Sequence, residues 1–499
     1  MSVEARASGR SKANNQQHKP PTMEVKLDHH YKTKVYTSGS KISGHVEVNT
    51  TRDTPFDTVD IICVGASAVR LDFVQSFTTS SSRTFMKLSM PIPGSDLPSP
   101  RVFEAGKTYN IPFKFIVPHA LTLGACTHDC TSPNVKDQHL RPPPSVGCWE
   151  GDDQAPDMTY VEYSVKCRAT WTPPRATERE SLVETKKVIK ILPAFPEDAP
   201  LDITFRDERY NLSKQKTIRK NLFAAKAGKL NVSAGQPGAI MLKADGHGAS
   251  MSNVKVNLEF SPASLDAAPP KVNSVSGKLL TTTFFGGSAA ESLPNLGARA
   301  SQTTNPCLTY STTNSLFTKS ISKLSWGQKH PSLLRRDSGY SSNYVDEESA
   351  ESADDAIGKK KQQQGPPIRH VASIDVPFSV PSTNKKIFLP TFHSCLISRT
   401  YVLQLTVSVG PTNTTMMLNL PLQIGVEQHY QQSTEEDELP SFEAAVRSRR
   451  TPDEVQLEDS EDTESYFRPR VLRLPSEELM GTSTLRGHDA GRLQPIGAC

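Results

Sequence analysis

Residues 160–171 read Tyr-Val-Glu-Tyr-Ser-Val-Lys-Cys-Arg-Ala-Thr-Trp, the most regular pattern in this chain of 499 residues. Apolar residues take every second position, namely Val161, Tyr163, Val165, Cys167, Ala169 and Trp171. Charged or polar residues fill most of the positions between them. Successive side chains of a β-strand point to opposite faces of the sheet, so this period of two predicts a strand with one buried face and one wet face.

The same two-residue rhythm recurs along the chain. It predicts further strands at 41–48, 111–117, 187–192, 230–233, 254–260, 401–409 and 416–426 and, with weaker alternation, at 279–285 and 309–324. Residues 58–64 are more continuously apolar, which predicts a strand covered on both sides. No apolar period of 3.6 residues extends far, and the best helix candidate is the short stretch 442–449. Pro421 lies inside the last predicted strand. Because proline lacks a backbone donor, it indicates an edge strand or a bulge there.

Many strands separated by Pro, Gly and Ser turns are typical of β-sandwiches, so we predict an all-β fold with two sandwich domains. Residues 193–200 separate the two blocks of strands and hold three prolines in eight residues. Proline disfavours the interior of a sheet and helix at its neighbour, so we interpret this segment as an interdomain hinge. The predicted domains are therefore residues 23–192 and 201–426.

Three other segments contain too few apolar residues to offset the entropy of ordering them. We predict a disordered leader at 1–22, a disordered insertion at about 326–367 within the second domain, and an acidic disordered tail at 427–499. Residues 261–275 are predicted to form a long loop.

The bulk composition excludes several classes of protein. The formal net charge is +4 with Lys and Arg spread along the chain, so we expect no nucleic-acid partner. No apolar run approaches the roughly 20 residues needed to cross a bilayer, and the polar N-terminus does not resemble a secretory signal. The 8 cysteines are scattered and do not indicate a disulfide framework, so we expect a cytosolic protein.

Motifs that carry catalysis are missing from the sequence. It contains no G-x-S-x-G, no H-E-x-x-H, no phosphate-binding loop and no G-x-G-x-x-G after a strand. We therefore expect neither enzymatic activity nor a cofactor.

One stretch concentrates residue types that bind metals. They are Cys126, His128, Cys130, His139 and, further on, Cys148. Two thiolates and two imidazoles could hold a structural, tetrahedral Zn²⁺. However, the spacing is not that of a standard zinc finger, and prolines at 133 and 142–144 indicate a surface loop. The sequence therefore favours a loop with incidental thiols over a metal site.

Two short patterns indicate phosphorylation. The pattern D-S-G-x-x-S at 337–342 offers Ser338 and Ser342, whose phosphates could dock onto basic pockets of a ligase adaptor. A random match in a serine-rich segment is the alternative. Ser433 and Thr434 precede an acidic run, which suits an acidophilic kinase.

Several stretches resemble the arrestins. They are residues 35–46, 60–67, 106–118, 160–171 and 389–409. The first is similar to the arrestin phrase "Y-x-x-G-x-x-V-x-G-x-V", and the third to "G-x-x-x-x-P-F-x-F-x-x-P". The last resembles "F-x-x-x-x-I-x-x-x-Y-x-L-x-V" of the carboxy-terminal arrestin domain. The resemblance covers about residues 23–426, interrupted by the insertion, and the fungal α-arrestins are the most similar subgroup.

This resemblance implies two arrestin-like sandwiches and an adaptor function. Such proteins bind cytosolic parts of plasma-membrane transporters or receptors and recruit a HECT-family ubiquitin ligase, so that the cargo is ubiquitinated and endocytosed. The resemblance also implies a cytoplasmic protein that reaches the plasma membrane and endosomes transiently, by peripheral association only.

The ligase holds such adaptors through WW domains, which bind P-P-x-Y or L-P-x-Y segments in an aromatic groove. This chain has no P-P-x-Y, and its nearest segment is Leu439, Pro440, Ser441 and Phe442. Phenylalanine keeps the ring but lacks the hydroxyl, so we expect weaker docking. The alternative is an arrestin-fold signalling or trafficking scaffold that does not recruit the ligase directly. A zinc-dependent enzyme is a third hypothesis, which rests on the Cys/His stretch alone.

Overall fold

The alternating stretch at 160–171 forms a single strand, Thr159–Trp171, in which Val161, Tyr163 and Val165 are fully buried. A computed structural model describes residues 21–72, 78–173, 180–204, 207–219, 226–264, 266–294, 307–329, 369–383 and 385–428. The prediction of an all-β fold is confirmed, because strands dominate these ranges. Helical structure within them is limited to one α-helix and two 3-10 turns, and no helix is long and apolar enough to cross a bilayer.

Strands up to residue 191 form what we call the amino-terminal half. They are β1 (Thr22–Leu27), β2 (Val35–Tyr36), β3 (Lys41–Asn49), β4 (Thr54–Pro55), β5 (Thr58–Asp72), β6 (Thr78–Met90), β7 (Val102–Phe103), β8 (Thr108–Ile116), β9 (Thr159–Trp171) and β10 (Glu180–Ile191). One sheet has the order β1-β3-β8 and the other β2-β10-β9-β5-β6, while β4 pairs with β7. All these pairs are antiparallel except β2 with β10.

The inward faces of the two sheets share one apolar core. On β3 and β8, Ile42 lies opposite Phe115 and Val46 lies opposite Ile111. All four are buried and belong to the same cluster as Val165 of β9. The two-residue rhythm therefore places alternate side chains of each sheet in this core.

Strands from residue 213 onward form the carboxy-terminal half. They are β11 (Ser213–Arg219), β12 (Lys226–Ala234), β13 (Ile240–Leu242), β14 (Ser252–Pro262), β15 (Val272–Phe285), β16 (Leu308–Ser320), β17 (Gly327–Lys329), β18 (Arg369–Phe378), β19 (Phe392–His393), β20 (Ile397–Val409), β21 (Thr414–Leu422) and β22 (Ile424–Val426). One sheet has the order β11-β12-β14-β18-β17 and the other β16-β15-β20-β19, with β21 also on β20. The short strands β13 and β22 form a parallel pair.

Strand pairing in the described ranges stays within one half or the other. An isolated bridge between Asp152 and Lys386 is the exception that crosses between them. Residues 193–200, the predicted hinge, contain no helix or strand and lie between β10 and β11. The division into two sandwich domains stays a prediction.

Three predicted boundaries differ from the structure. The predicted loop at 261–275 is shorter, because β14 continues to Pro262 and pairs there with β12. The predicted insertion begins later, because Gly327–Lys329 pair with β18 as an edge strand that has no apolar pattern. The predicted strand at 416–426 is interrupted at Gln423, where β21 on β20 gives way to β22 on β13. Pro421 lies in β21, which pairs with β20 at the edge of its sheet, as predicted.

Gly44 occupies an inward position of β3 where the alternation would place an apolar side chain. It lies opposite Leu27 of β1. A Cβ atom at Gly44 would collide with the carbonyl oxygen of Lys26 and lie 2.9 Å from the Cα of Leu27. The close approach of β1 therefore requires glycine at this position.

We expect Gly44→Ala to lower the free energy of unfolding by about 1–3 kcal/mol, because backbone atoms of β1 must move to admit the methyl group. Gly94→Ala is the matched control, since a Cβ there meets nothing within 4 Å. It should change stability by less than about 0.5 kcal/mol. Urea unfolding followed by circular dichroism measures both, and equal stability of the two variants would contradict this packing.

Candidate metal centre

Four side chains that can bind a metal converge at one place. They are Cys126, His128, His139 and Cys395. One donor atom from each lies within 4.8 Å of all the others. Three of the residues are buried and His128 is partly exposed. The first three belong to the connection between β8 and β9, whereas Cys395 belongs to the turn between β19 and β20 in the other half.

Two short helical elements position Cys126 and His139, and His128 lies in the loop between them. A 3-10 turn, Leu123–Ala125, ends at Cys126. The helix α1 (Pro133–His139) begins after Ser132 with proline at its first turn, where a fixed φ and a missing N–H cost nothing. His139 ends α1 and is buried beside Cys126.

Two of the distances between donor atoms match the edges of a tetrahedral zinc site. Bond lengths of about 2.3 Å for Zn–S and about 2.0–2.1 Å for Zn–N give a tetrahedron with S–N edges of about 3.6 Å. Cys126 Sγ lies 3.4 Å from His128 Nε2 and 3.7 Å from His139 Nδ1. These two distances suit a shared Zn²⁺, and the remaining pairs of donor atoms lie within 4.8 Å of each other.

The second nitrogen of His128 has a partner that suits metal binding. His128 Nδ1 lies 3.0 Å from the carbonyl oxygen of Asp129. A proton on Nδ1 donated to that oxygen leaves the lone pair of Nε2 directed toward Cys126. Metal-binding histidines are commonly oriented by such a bond from their other ring nitrogen.

Cys130 is a fifth donor beside the group. Its Sγ lies 3.7 Å from Cys126 Sγ and 4.0 Å from His139 Nδ1. The Cys130 sulfur lies 3.9 Å from Nδ1 of His128, whereas the Cys126 sulfur lies near Nε2 of the same ring. Cys130 thus lies next to three members of the group, but its sulfur is not among the four donor atoms that all lie within 4.8 Å of one another.

The turn between β19 and β20 fixes Cys395. The Ser394 hydroxyl donates to the carbonyl oxygen of Ile397 at 2.7 Å, and the Ala290 amide donates to the Cys395 carbonyl oxygen, also at 2.7 Å. The Cys395 thiol lies 3.8 Å from the carbonyl oxygen of Ala125, next to Cys126. The carboxy-terminal half therefore presents this sulfur to the amino-terminal half.

Burial shifts the protonation of these groups toward uncharged forms. It lowers the pKa of His139 to about 3, assisted by the nearby His128. It also raises the pKa of Cys130 to about 11 and that of Cys395 to about 12. His139 is thus in the neutral form that metals bind, whereas a metal ion would have to displace the thiol protons.

All four candidates proposed from the sequence, Cys126, His128, Cys130 and His139, lie together in the structure. Most residues of 122–138 are exposed, as a surface loop would be, but the prediction missed that Cys126 is 1% exposed and His139 is 2% exposed. The physical reason is α1, which packs against β19. Cys148 is not among the residues whose donor atoms converge.

Sequence reasoning missed Cys395. Spacing patterns find ligands that are close in sequence, and this one lies in the opposite half of the chain. The available signal was Phe-His-Ser-Cys at 392–395, where a histidine and a cysteine again lie close together in the sequence.

The other sequence-predicted sites lie outside the described residues. They are Ser338, Ser342, Ser433 and Thr434 for phosphorylation and Leu439, Pro440, Ser441 and Phe442 for ligase docking. The helix candidate at 442–449 also lies outside them. These stay predictions.

A second buried contact joins the same two halves. Arg399 on β20 is fully buried, and its Nη1 donates to the carbonyl oxygen of Asp153 at 2.6 Å. Its Nε and Nη2 donate to the Thr283 hydroxyl at 3.1 and 3.0 Å. Asp153 lies in the connection between β8 and β9, so Arg399 binds one acceptor from each half.

The next residue, Gln154, inserts its side chain into the carboxy-terminal half. Its Oε1 accepts hydrogen bonds from the Thr281 and Thr312 hydroxyls at 3.3 and 3.1 Å, and from Asn314 Nδ2 at 2.6 Å. Gln154 has a φ of 58°, a left-handed conformation that is uncommon outside glycine. The bonds to β15 and β16 offset this conformational cost.

Backbone hydrogen bonds hold the same segment. The Asp152 amide donates to the carbonyl oxygen of Lys385 at 2.8 Å, and the Ile387 amide donates to that of Asp152 at 2.9 Å. We call residues 152–154 the bridging segment. The carboxy-terminal half holds it through both backbone and side chains.

No protein-family model and no curated protein matches this chain. The function of the site is therefore argued from its own residues.

We expect Arg399→Met to lower the free energy of unfolding by about 3 kcal/mol, because two buried acceptors lose charged donors. Arg369→Met is the matched control, since Arg369 forms an exposed ion pair with Glu259. It should cost less than about 1 kcal/mol. Chemical unfolding of both variants tests this, and a neutral Arg399→Met would show that the network does not stabilise the fold.

Proposed function

We propose that this chain is a non-enzymatic, arrestin-like adaptor of the α-arrestin type. In this proposal it binds cytosolic segments of plasma-membrane transporters or receptors and recruits a HECT-family ubiquitin ligase to them. It acts at the cytosolic face of the plasma membrane and of endosomes. Ubiquitination and endocytosis of the cargo follow.

The observation that carries the proposal is the buried contact between the halves, through Arg399 and the bridging segment. A platform that recognises a partner loses less entropy on binding when its surfaces are already held in place. Buried polar contacts join the two all-β halves and so hold their surfaces in place before a partner binds. The arrangement also agrees with the two sandwiches that the arrestin resemblance implies.

β16 offers a surface that suits an extended cargo segment. It pairs with β15 on one side, and no other strand of the described ranges pairs with it. Leu308 and Tyr310 expose 43% and 42% of their surfaces. An extended peptide can add to such an edge through main-chain hydrogen bonds, while exposed apolar side chains select its residues.

A second candidate function is a signalling or trafficking scaffold without direct ligase recruitment. The absence of P-P-x-Y from the sequence favours it. The segment that ends at Phe442 decides between the two candidates, because it keeps three positions of L-P-x-Y, whereas Leu192 and Leu389, which begin the other two L-P-x-F segments, are buried.

We expect isolated WW domains of a HECT-family ligase to bind the full chain weakly. Phe442→Tyr should bind more tightly, because it restores L-P-x-Y, and Phe442→Ala should lose binding. Phe467→Ala, which changes another tail phenylalanine, is the matched control and should leave binding unchanged. Calorimetry measures all four, and no binding by either the natural chain or Phe442→Tyr would favour the scaffold.

In cells, proximity labelling from the full chain should tag membrane transporters or receptors. Tyr310→Asp should reduce that labelling several-fold, because a charge replaces an apolar contact at the β16 edge. Met251→Asp is the control, since Met251 is also exposed but lies outside any strand. If the natural chain labels no membrane protein, both adaptor function and cargo binding at β16 are contradicted.

A further inference from the structure

We propose that Cys126, His128, His139 and Cys395 bind one Zn²⁺, and that this ion fastens the two halves of the chain together. The proposal does not depend on adaptor function. It rests on the donor atoms, their spacing, and the different halves from which they come.

The chemistry of the donors selects zinc. Thiolate sulfur and imidazole nitrogen are soft or borderline ligands, which Mg²⁺ and Ca²⁺ do not prefer. Two of each form a Cys₂His₂ set, and the S–N distances from Cys126 correspond to tetrahedral edges. Binding releases the protons of Cys126 and Cys395 and forms two Zn–S and two Zn–N bonds.

The site has the properties of a structural centre. Four protein ligands complete a tetrahedron and leave no position for a reacting water. His139, Cys126 and Cys395 are buried. This argues against the hypothesis of a zinc-dependent enzyme and for a role in stability.

The ligands come from both halves, so a bound ion cross-links them. Three belong to the connection between β8 and β9, and Cys395 precedes β20. Close to the site, the Thr131 amide donates to the carbonyl oxygen of Glu291 at 2.8 Å, a hydrogen bond that also crosses between the halves. The ion would reinforce this contact with bonds that hold much more strongly than one hydrogen bond.

Cys130 is assigned as a neighbouring thiol that does not bind the ion. It faces the nitrogen of His128 that is directed to Asp129, and its sulfur is not in the group whose members all lie within 4.8 Å of one another. Comparing zinc binding by Cys130→Ser and Cys395→Ser therefore tests the assigned ligands most directly.

The direct test is metal analysis and competitive zinc titration of the full chain. We expect one zinc per chain in the natural protein and in Cys130→Ser. Cys148→Ser, a matched control from the same connection, should also keep it. Cys126→Ser and Cys395→Ser should weaken binding by more than about 100-fold. Unchanged affinity in Cys395→Ser, or loss of zinc in Cys130→Ser, would overturn the assigned ligands.

A variant can lose zinc because it fails to fold, so the natural chain provides a second test. X-ray absorption at the zinc edge should show two sulfur atoms at about 2.3 Å and two nitrogen atoms at about 2.0–2.1 Å. A shell of oxygen atoms, a shell of four sulfurs, or no retained zinc would each contradict the proposal.

Hydrogen exchange of the full chain with and without a chelator tests the cross-link itself. Removing zinc should speed amide exchange by at least about tenfold on both sides of the contact. The segments concerned are 123–140 in the amino-terminal half and 286–294 and 392–397 in the carboxy-terminal half. Faster exchange in the first segment alone would show a metal site confined to the amino-terminal half, and would overturn the cross-link.

Discussion

Arg399 is the constraint on which the arrangement of the two halves depends. A guanidinium group stays charged, and burying it is costly unless hydrogen bonds satisfy its donors. One acceptor, Thr283, is in the same half, but the other is the carbonyl oxygen of Asp153 across the contact. Separating the halves would remove that acceptor from a buried cation, so β20 and the bridging segment must remain together.

The connection between β8 and β9 supplies several of the polar contacts that join the halves. It carries three converging metal-binding side chains near its start and the bridging segment near its end. Buried apolar side chains from both halves belong to one continuous cluster. Directional hydrogen bonds from Arg399 and Gln154 specify one relative position, because they fail when the geometry changes.

The alternation of apolar and polar residues predicted the strands that bury one face. The strand at 160–171 and the strand at 401–409 were predictable because burial of one face imposes a period of two on the sequence. β17 was not predictable, because an exposed edge strand imposes no such pattern, and α1 is too short to show a helical period. Three of the four residues of the metal-binding group, Cys126, His128 and His139, were predictable because they are close in sequence. Cys395 and Gln154 reach their partners only through the fold.

The central claim is that the two halves form one rigid unit. Spin labels carried on encoded unnatural amino acids can replace Tyr160 on β9 and Met251 ahead of β14, both of which are exposed. Pulsed electron–electron resonance of the full chain then measures the distance between the halves. One narrow distance distribution is the expected result. A broad distribution, such as a flexible linker between independent domains produces, would contradict the account.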